Sequence, residues 1–177
     1  DEMNIIAIAA KAGSGKDTVA DFLVERYGYT KMSMAGPLKA GLAAMGLKEP
    51  TNRDDKEKPI PGFDFSYREA MQAVGGAGRS LDLDIWIKAV ALHGRRADDH
   101  IVISDIRFEN EAAMVRETGG KILFISGRAA DLGENAGDVS EAGIEFLPSV
   151  DGMIDNSGKF SDTQAQIISY LGLGAPK

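Results

Sequence analysis

The sequence predicts an α/β fold in which a parallel sheet is covered by helices on both faces. Three observations point there. Short β-branched apolar runs recur at Ile5–Ala10, Ile101–Ile103 and Ile122–Ile125, as strands buried on both faces require. Amphipathic helical patterns lie between and after them. A glycine-rich stretch follows the first run directly and opens a helix, which is the order of a strand–loop–helix ligand cradle.

Taken in order, Ile5–Ala10 is the first strand, and Val19, Phe22 and Leu23 form the apolar face of the helix that follows it. Lys48–Asp64 holds Pro50, Pro59, Pro61, Gly62 and the charge run Arg53–Lys58 with little periodicity. A loop that long in a compact domain is usually mobile and functional, so it reads as a lid, although such a run is also what a solvated surface loop looks like. Tyr67, Ala70, Met71 and Val74 repeat at helical spacing behind a Ser66/Glu69 capping box. Leu83, Trp86, Ile87 and Val90 repeat in the same way, and Trp86 and Met71 at that spacing read more readily as core than as a base-stacking platform. Arg128–Asp138, with Gly133 and Gly137, is a second irregular stretch and a candidate flap. Ser161 and Gln164 form a capping box for the last helix.

Composition bounds the function. A chain of 177 residues buries roughly two-thirds of the surface its unfolded form exposes, so it needs no covalent staple. Twenty basic against 27 acidic side chains give a net charge of −7 and a pI of 4.9. That balance argues against nucleic-acid or anionic-membrane partners while leaving room for a local cationic pocket. The absence of cysteine removes disulfides, thiolate metal sites and thiol nucleophiles. His93 and His100 are not adjacent and read as surface or helix-end residues rather than a metal cage. No apolar run approaches the roughly 18–20 residues of a membrane span, and Ile5–Ala10 is too short for a signal sequence. The expectation is a cytoplasmic protein.

The strongest chemical signal is Ala10-Lys11-Ala12-Gly13-Ser14-Gly15-Lys16-Asp17-Thr18. Glycines let successive backbone N–H groups converge on an anion, and a helix N-terminus adds favourable partial charge. Lys16 can then reach the β- and γ-phosphates of a nucleotide. Against the pattern G-x-x-x-x-G-K-[ST], Ala10 replaces the first glycine and Asp17 replaces the hydroxyl that would ligate magnesium. Thr18 is placed to bond a phosphate oxygen, and Asp17 to hold the metal through water. The competing reading is a glycine-rich turn that binds nothing.

Asp105 ends the apolar run Ile101–Ile103, where open α/β sheets bind their ligands. It could bind Mg²⁺ or accept a hydrogen bond from an attacking group, or it could merely cap a helix starting near Phe108. Arg107, Arg128, Arg68 and Arg79 lie near predicted sheet or helix ends, and phosphoryl transfer needs such cations because charge spreads over the transferring oxygens. An N-K-x-D guanine motif, a D-x-x-G switch, a G-x-S-x-G elbow and a metalloprotease helix are all missing.

In five blocks the residues resemble the phage-type deoxynucleoside monophosphate kinases, a branch of the P-loop nucleoside monophosphate kinases. The blocks are Lys11–Thr18; Ser33-Met34-Ala35-Gly36-Pro37-Leu38-Lys39; Ser66 to Arg79 with Arg68 and Gln72; Asp105-Ile106-Arg107-Phe108-Glu109-Asn110-Glu111-Ala112; and Ser140-Glu141 ahead of Asp155-Asn156. The likeness spans about Ile5 to Asn156. It implies a three-layer P-loop kinase fold with a five-stranded parallel sheet, an acceptor-binding insertion near residues 34–95 and a lid near 128–140, all in one domain. It also implies ATP-dependent, Mg²⁺-assisted phosphorylation of a deoxynucleoside monophosphate by direct in-line transfer.

Further implications of the resemblance concern single residues. Lys16, Asp105, Arg107 and Arg128 would be catalytic. Ala12, Gly13, Ser14, Gly15, Lys16, Asp17, Thr18 and Asn156 would bind ATP, with Asn156 near the donor base. Ser33, Lys39, Arg68, Gln72, Arg79, Trp86 and Glu141 would serve the acceptor, and Asp17 and Asp105 the metal. Partners would be small-molecule nucleotides, a homodimer is left open, and a phage-encoded enzyme would work in host cytoplasm. The chain departs from the pattern at Gly36, where an Asp is usual, at Gly75-Gly76-Ala77-Gly78-Arg79, where the usual Gly-Thr-Glu-Trp-Gly-Arg loses a Glu and a Trp, and at Asp138, where a His often stands. These changes leave the phosphate loop intact and the acceptor open. Kinases of another small acceptor such as dephospho-coenzyme A, and a non-catalytic ATP-binding regulator, are the rival readings.

Overall fold

A computed structural model of the chain describes residues 5–10, 13–97, 100–127 and 143–175. The elements are β1 (Ile5–Ala10), α1 (Lys16–Tyr27), β2 (Thr30–Met32), α2 (Gly36–Ala44), a 3₁₀ helix (Arg53–Glu57), α3 (Tyr67–Leu81), α4 (Ile85–Ala97), β3 (Ile101–Ile103), α5 (Glu109–Glu117), β4 (Lys121–Ser126), β5 (Gly152–Asp155) and α6 (Phe160–Leu171). They divide into two compact units, Met34–His93 and the rest of the chain.

The larger unit contains the sheet. Five strands run parallel in the order β2-β3-β1-β4-β5, so the expected five-stranded parallel sheet is present with β1 at its centre. Side chains alternate across the sheet, and parallel register keeps like with like. Ile6 and Ile8 share one face with Val102, Leu123, Ile125 and Ile154, where they pack against Val19, Phe22 and Leu23 of α1 and Ile167 of α6. Their neighbours Ala7, Ala9, Ile103, Ile122 and Phe124 are equally buried on the other face, the side that α5 covers with Ala112 and Val115. Phe124 meets Phe146 edge to face at 5.2 Å between ring centres.

Two strands carried no apolar run in the sequence. β2 reads Thr-Lys-Met and is mostly exposed, because a three-residue edge strand needs little beyond its backbone bonds to β3. β5 alternates buried and exposed positions on the opposite edge, and Gly152 fits only because it lies flat against the Tyr170 ring.

Two local expectations are corrected. The last helix starts at Phe160 behind Lys159, so Ser161 and Gln164 lie inside it and form no capping box. Tertiary contacts set that start: Phe160 packs edge-on against Phe22, and Gln166 bonds both the N–H and the carbonyl of Asp155. Leu83 precedes α4 and is 76% exposed, because the Asp82 side chain accepts the Asp84 N–H and holds a turn there. Local order is present within the loop Lys48–Asp64. Asn52 caps its 3₁₀ helix, Pro59 and Ser66 form a bridge, and Ile60 donates to and packs beside Phe65.

In the smaller unit, Leu42, Leu47, Tyr67 and Ala70 form the core, with Ile60, Phe65, Met71 and Val74 against it. The Ser66/Glu69 capping box of α3 is present in both directions. A side chain at Gly78 would place its Cβ 2.5 Å from the Trp86 ring, so the bare helix surface there is the seat of that indole, whose N–H donates to the Gly75 carbonyl at 3.1 Å.

Gly120 lies hard against the backbone of β1 and α5. A Cβ there would lie 2.6 Å from the Ile5 carbonyl oxygen and 2.8 Å from that of Val115, neither of which can move without disturbing β1 or α5. Gly120→Ala is expected to lower the unfolding free energy by about 1–3 kcal/mol in urea titrations, without altering the circular dichroism of the folded state.

Candidate active site

Because all five strands are parallel, their carboxyl ends share one edge. The chain leaving β1 becomes the glycine loop, β3 leads to Asp105, β4 to Gly127, and β5 to Asn156. The sequence alone placed the first two there. The β4–β5 register, with Ser126 opposite Asp155, brings in the fourth.

Gly13 and Gly15 adopt φ +81° and +88°, in the left-handed region that a side chain would resist. Gly15 is the N-cap of α1 with no side-chain cap, so the first N–H groups of the helix are not taken by a capping residue. Its carbonyl accepts the Val19 N–H and starts the helical ladder. Lys16, the first helical residue, is half-buried and makes no ion pair with any described residue. Ser14 is 2% exposed, whereas Asp17 and Thr18 face outward. Such an arrangement of donors and one cation suits an anion.

Asp17 is 3.4 Å from Lys31 of β2, which also pairs with Asp21 at 2.9 Å. Burial, the largest single influence, works to lower the Lys31 pKa, but the hydrogen bond Lys31 donates to Asp21 and the charges of Asp21 and Asp17 together raise it above the usual lysine range. Among the described residues no cluster of three acidic or histidine side chains is arranged for a metal. Magnesium bound through phosphates needs only one or two protein carboxylates, so Asp17 and Asp105 fit that more modest demand.

Asp105 is half-buried between the buried Ser104 and Ile106, and Arg107 is exposed. The cap of α5 is not Asp105. Instead Glu111, in the first turn and 8% exposed, turns Oε2 back to accept the N–H groups of Arg107 at 2.6 Å and Phe108 at 3.1 Å. It thereby fixes the turn that carries Asp105 and Arg107. Sequence reasoning quoted Glu111 without giving it this work; an acidic residue at the third helical position was the available signal.

Segment 143–151 is pinned to the same unit by Arg116. Its guanidinium makes a forked bond to Asp151 at 2.6 and 3.2 Å, bonds Glu109 at 2.8 Å and reaches the Glu145 carbonyl at 2.7 Å. Asp151 is buried and also accepts the Leu147 N–H. Nothing in the local sequence announced this pair, which is 35 residues apart.

The expected acceptor residues of the smaller unit fall on three helices. Arg68, Gln72 and Arg79 are spaced to share one stripe of α3 and are exposed, with Arg68 paired to Glu57. Lys39 on α2 is 2.9 Å from Glu49, whose carboxyl the hydrogen bond from Lys56, aided by Lys39, holds below the usual carboxylate range. Trp86 is half-buried against Gly78. Ser33 directly follows β2 in the larger unit. His93 is exposed on α4, and His100 lies 5.5 Å from the Tyr29 ring. Ala12, Arg128, Glu141 and the expected flap Arg128–Asp138 lie outside the described residues.

The profile of the deoxynucleotide monophosphate kinase family matches residues 57–167. A protein of Acanthamoeba polyphaga mimivirus described as "Putative deoxynucleotide monophosphate kinase" is 27% identical over 190 residues, covering 96% of each chain. The uncharacterized protein ORF76 of Ictalurid herpesvirus 1 (strain Auburn) is 30% identical over 125 residues, which are 68% of this chain and 47% of that one. Among solved structures, TT1252 from Thermus thermophilus superposes with a TM-score of 0.54 at 18% identity, covering 97% of this chain and 98% of its own. A gluconokinase from Sinorhizobium meliloti 1021 gives 0.52 at 15% identity over 97% and 93%. At those identities the likeness is one of fold.

Burial pushes the Glu111 carboxyl above the ordinary glutamate range, against the pull of the two N–H groups and with help from the nearby Asp105 charge. A carboxyl with a raised folded pKa binds its proton more tightly when folded. Its stabilising contribution is complete below the unfolded value, about 4.3, and fades as pH rises through the folded one. Glu111→Gln keeps an acceptor for both N–H groups and cannot ionise. Its stability is expected to gain on wild type as pH rises above about 4.3 and to level off once the folded carboxyl has ionised, read by urea unfolding between pH 4 and about pH 7, and a constant difference across that range would count against this account.

Proposed function

This chain belongs to the deoxynucleotide monophosphate kinase family, and from that premise we propose that it transfers the γ-phosphoryl group of Mg-ATP to a deoxynucleoside monophosphate through the glycine loop at the carboxyl edge of its sheet. The enzyme class, a phosphotransferase acting on nucleotides, follows from the family; the donor, the metal and the residue roles are our reading. The observation that carries it is the cradle itself: Gly13 and Gly15 in left-handed conformation, uncapped helix N–H groups, and Lys16 at the first position of α1.

On this reading the backbone N–H groups of residues 13–18 bind the donor's phosphates, and the Lys16 ammonium neutralises charge on the oxygens between the leaving and transferring groups. Thr18 would donate its hydroxyl to a phosphate oxygen. Asp105 would accept a hydrogen bond at the phosphate edge or hold magnesium with Asp17; when bound, the metal supplies charge neutralisation to the phosphates. Arg107, aimed from a turn that Glu111 fixes, would share the charge that develops during transfer. The Arg68, Gln72 and Arg79 stripe would hold the acceptor's monophosphate by guanidinium forks, with Lys39 and Ser33 as further polar contacts. Arg128 would act from the lid side, and Glu141 would serve the acceptor. No covalent intermediate is required, because positioning and fixed charge supply the rate enhancement of such transfers.

The test is ADP release from Mg-ATP against deoxynucleoside monophosphates, nucleoside monophosphates and dephospho-coenzyme A, with an acceptor-free control. Turnover confined to deoxynucleoside monophosphates is expected. Turnover with dephospho-coenzyme A alone would replace the acceptor, and tight ATP binding with no turnover would make the chain a nucleotide-binding regulator. Lys16→Met is expected to lower kcat by about a hundredfold or more while leaving the melting temperature nearly unchanged; full activity in that variant would remove the loop from the mechanism. Arg68→Ala is expected to raise the acceptor KM by about tenfold or more with little change in the ATP KM, read from initial rates at fixed saturating co-substrate.

A further inference from the structure

The end of β5 reaches the glycine loop through one buried side chain. Asn156 is 1% exposed, and its backbone N–H donates to the Ser126 carbonyl at 2.7 Å, extending the β4–β5 ladder by one residue. Its side-chain Nδ2 donates to the Ser14 carbonyl at 2.9 Å. Its Oδ1 accepts the hydroxyl of Thr163, at 2.8 Å, from the first turn of α6. Thr163 is fully buried. A side chain on Gly15 would put its Cβ 2.4 Å from Asn156 Nδ2, so the amide lies directly against the Ser14–Gly15 peptide and only glycine leaves room for it.

Geometry gives that contact a direction. In a planar trans peptide the carbonyl and the N–H point to opposite sides. With the Ser14 carbonyl held by Asn156, the Gly15 N–H is turned away from Asn156 and toward the open side of the loop. Were the peptide to flip, an acceptor oxygen would replace a donor in the cradle, and the buried Asn156 amide would lose its partner. The Ser14 carbonyl can only accept and so draws Nδ2 toward the loop, and the Thr163 hydroxyl, donating to Oδ1, holds the amide in that place. We propose that Asn156 and Thr163 are a positioning pair that locks the Ser14–Gly15 peptide in its anion-binding orientation. The pair acts through the loop and makes no contact with the donor's base. This rests on the reading of residues 13–18 as the donor-phosphate site.

The experiment compares wild type, Thr163→Val, Thr163→Ser and Asn156→Leu by calorimetric titration with Mg-ATP and, separately, with magnesium tripolyphosphate, which has no base. Thr163→Val keeps the shape and removes the donor; it is expected to weaken both ligands by the same factor, about fivefold to tenfold. Thr163→Ser keeps the hydroxyl and is expected to restore both to within about twofold of wild type. Asn156→Leu is expected to weaken both further. In turnover the ATP KM is expected to rise by the same factor while the acceptor KM stays put. A Thr163→Val protein that melts earlier yet binds both ligands as wild type does would reduce the pair to a structural role and overturn the proposal. So would loss of ATP affinity with tripolyphosphate unaffected, which would assign Asn156 to the base. If wild type binds neither ligand, the donor-site reading itself fails, and the pair falls with it.

Discussion

A strand with no polar side chain has to be paired on both edges and covered on both faces, and β1 is such a strand. Ile5 to Ala9 are each essentially inaccessible to solvent. Pairing with β3 and β4 satisfies its backbone, α1 and α6 cover one face, and α5 covers the other. Parallel partners can be reached only through crossovers, so the glycine loop, Asp105 and Asn156 all emerge on one edge. The active-site candidates are neighbours in space because of where β1 sits, although Ser14 and Asn156 are 142 residues apart in the chain.

Backbone polarity then imposes a second condition on that edge. A loop that gathers N–H groups around an anion must turn carbonyls the other way, and carbonyls turned into the protein need donors there. Ser14 finds one in Asn156, just as the N–H groups of Arg107 and Phe108 find an acceptor in Glu111. In both places a buried polar side chain sits behind the residues proposed to meet the nucleotide and orders the backbone that carries them. The protein's overall charge of −7 is no obstacle to holding phosphate. Local geometry places donors and one lysine at the loop, while many of its carboxylates are engaged with cations elsewhere, as Asp151 and Glu109 are with Arg116.

The smaller unit follows a different logic. It has its own core around Tyr67 and Leu42, and two glycines of α3 give close seats to Leu38 and Trp86. The chain departs from the pattern it resembles across Gly75–Arg79, a departure that left the acceptor open. At Gly78 the space is filled: the Trp86 ring occupies it from the next helix. Gly76 has nothing within 4 Å of a notional Cβ, so only there does the surface stay open. The three residues of the α3 stripe keep the same spacing whatever packs behind them, because helical periodicity alone aligns positions 68, 72 and 79.

The sequence by itself determined what depends on neighbours in the chain. The buried central strands were legible from their β-branched runs, α3 from its period and its Ser66/Glu69 cap, and the candidate phosphate loop from glycines and a lysine at fixed offsets after a strand. Tertiary structure decided the rest, because those features are settled by groups far away in sequence. β2 and β5 exist through pairing at the sheet edges rather than through any pattern of their own. α6 starts where Phe160 meets Phe22, not where serine and glutamine suggested a cap. Glu111, Arg116 and Thr163 look like ordinary helix-surface residues until the fold buries them, and burial is what obliges each to find the partner that gives it a role.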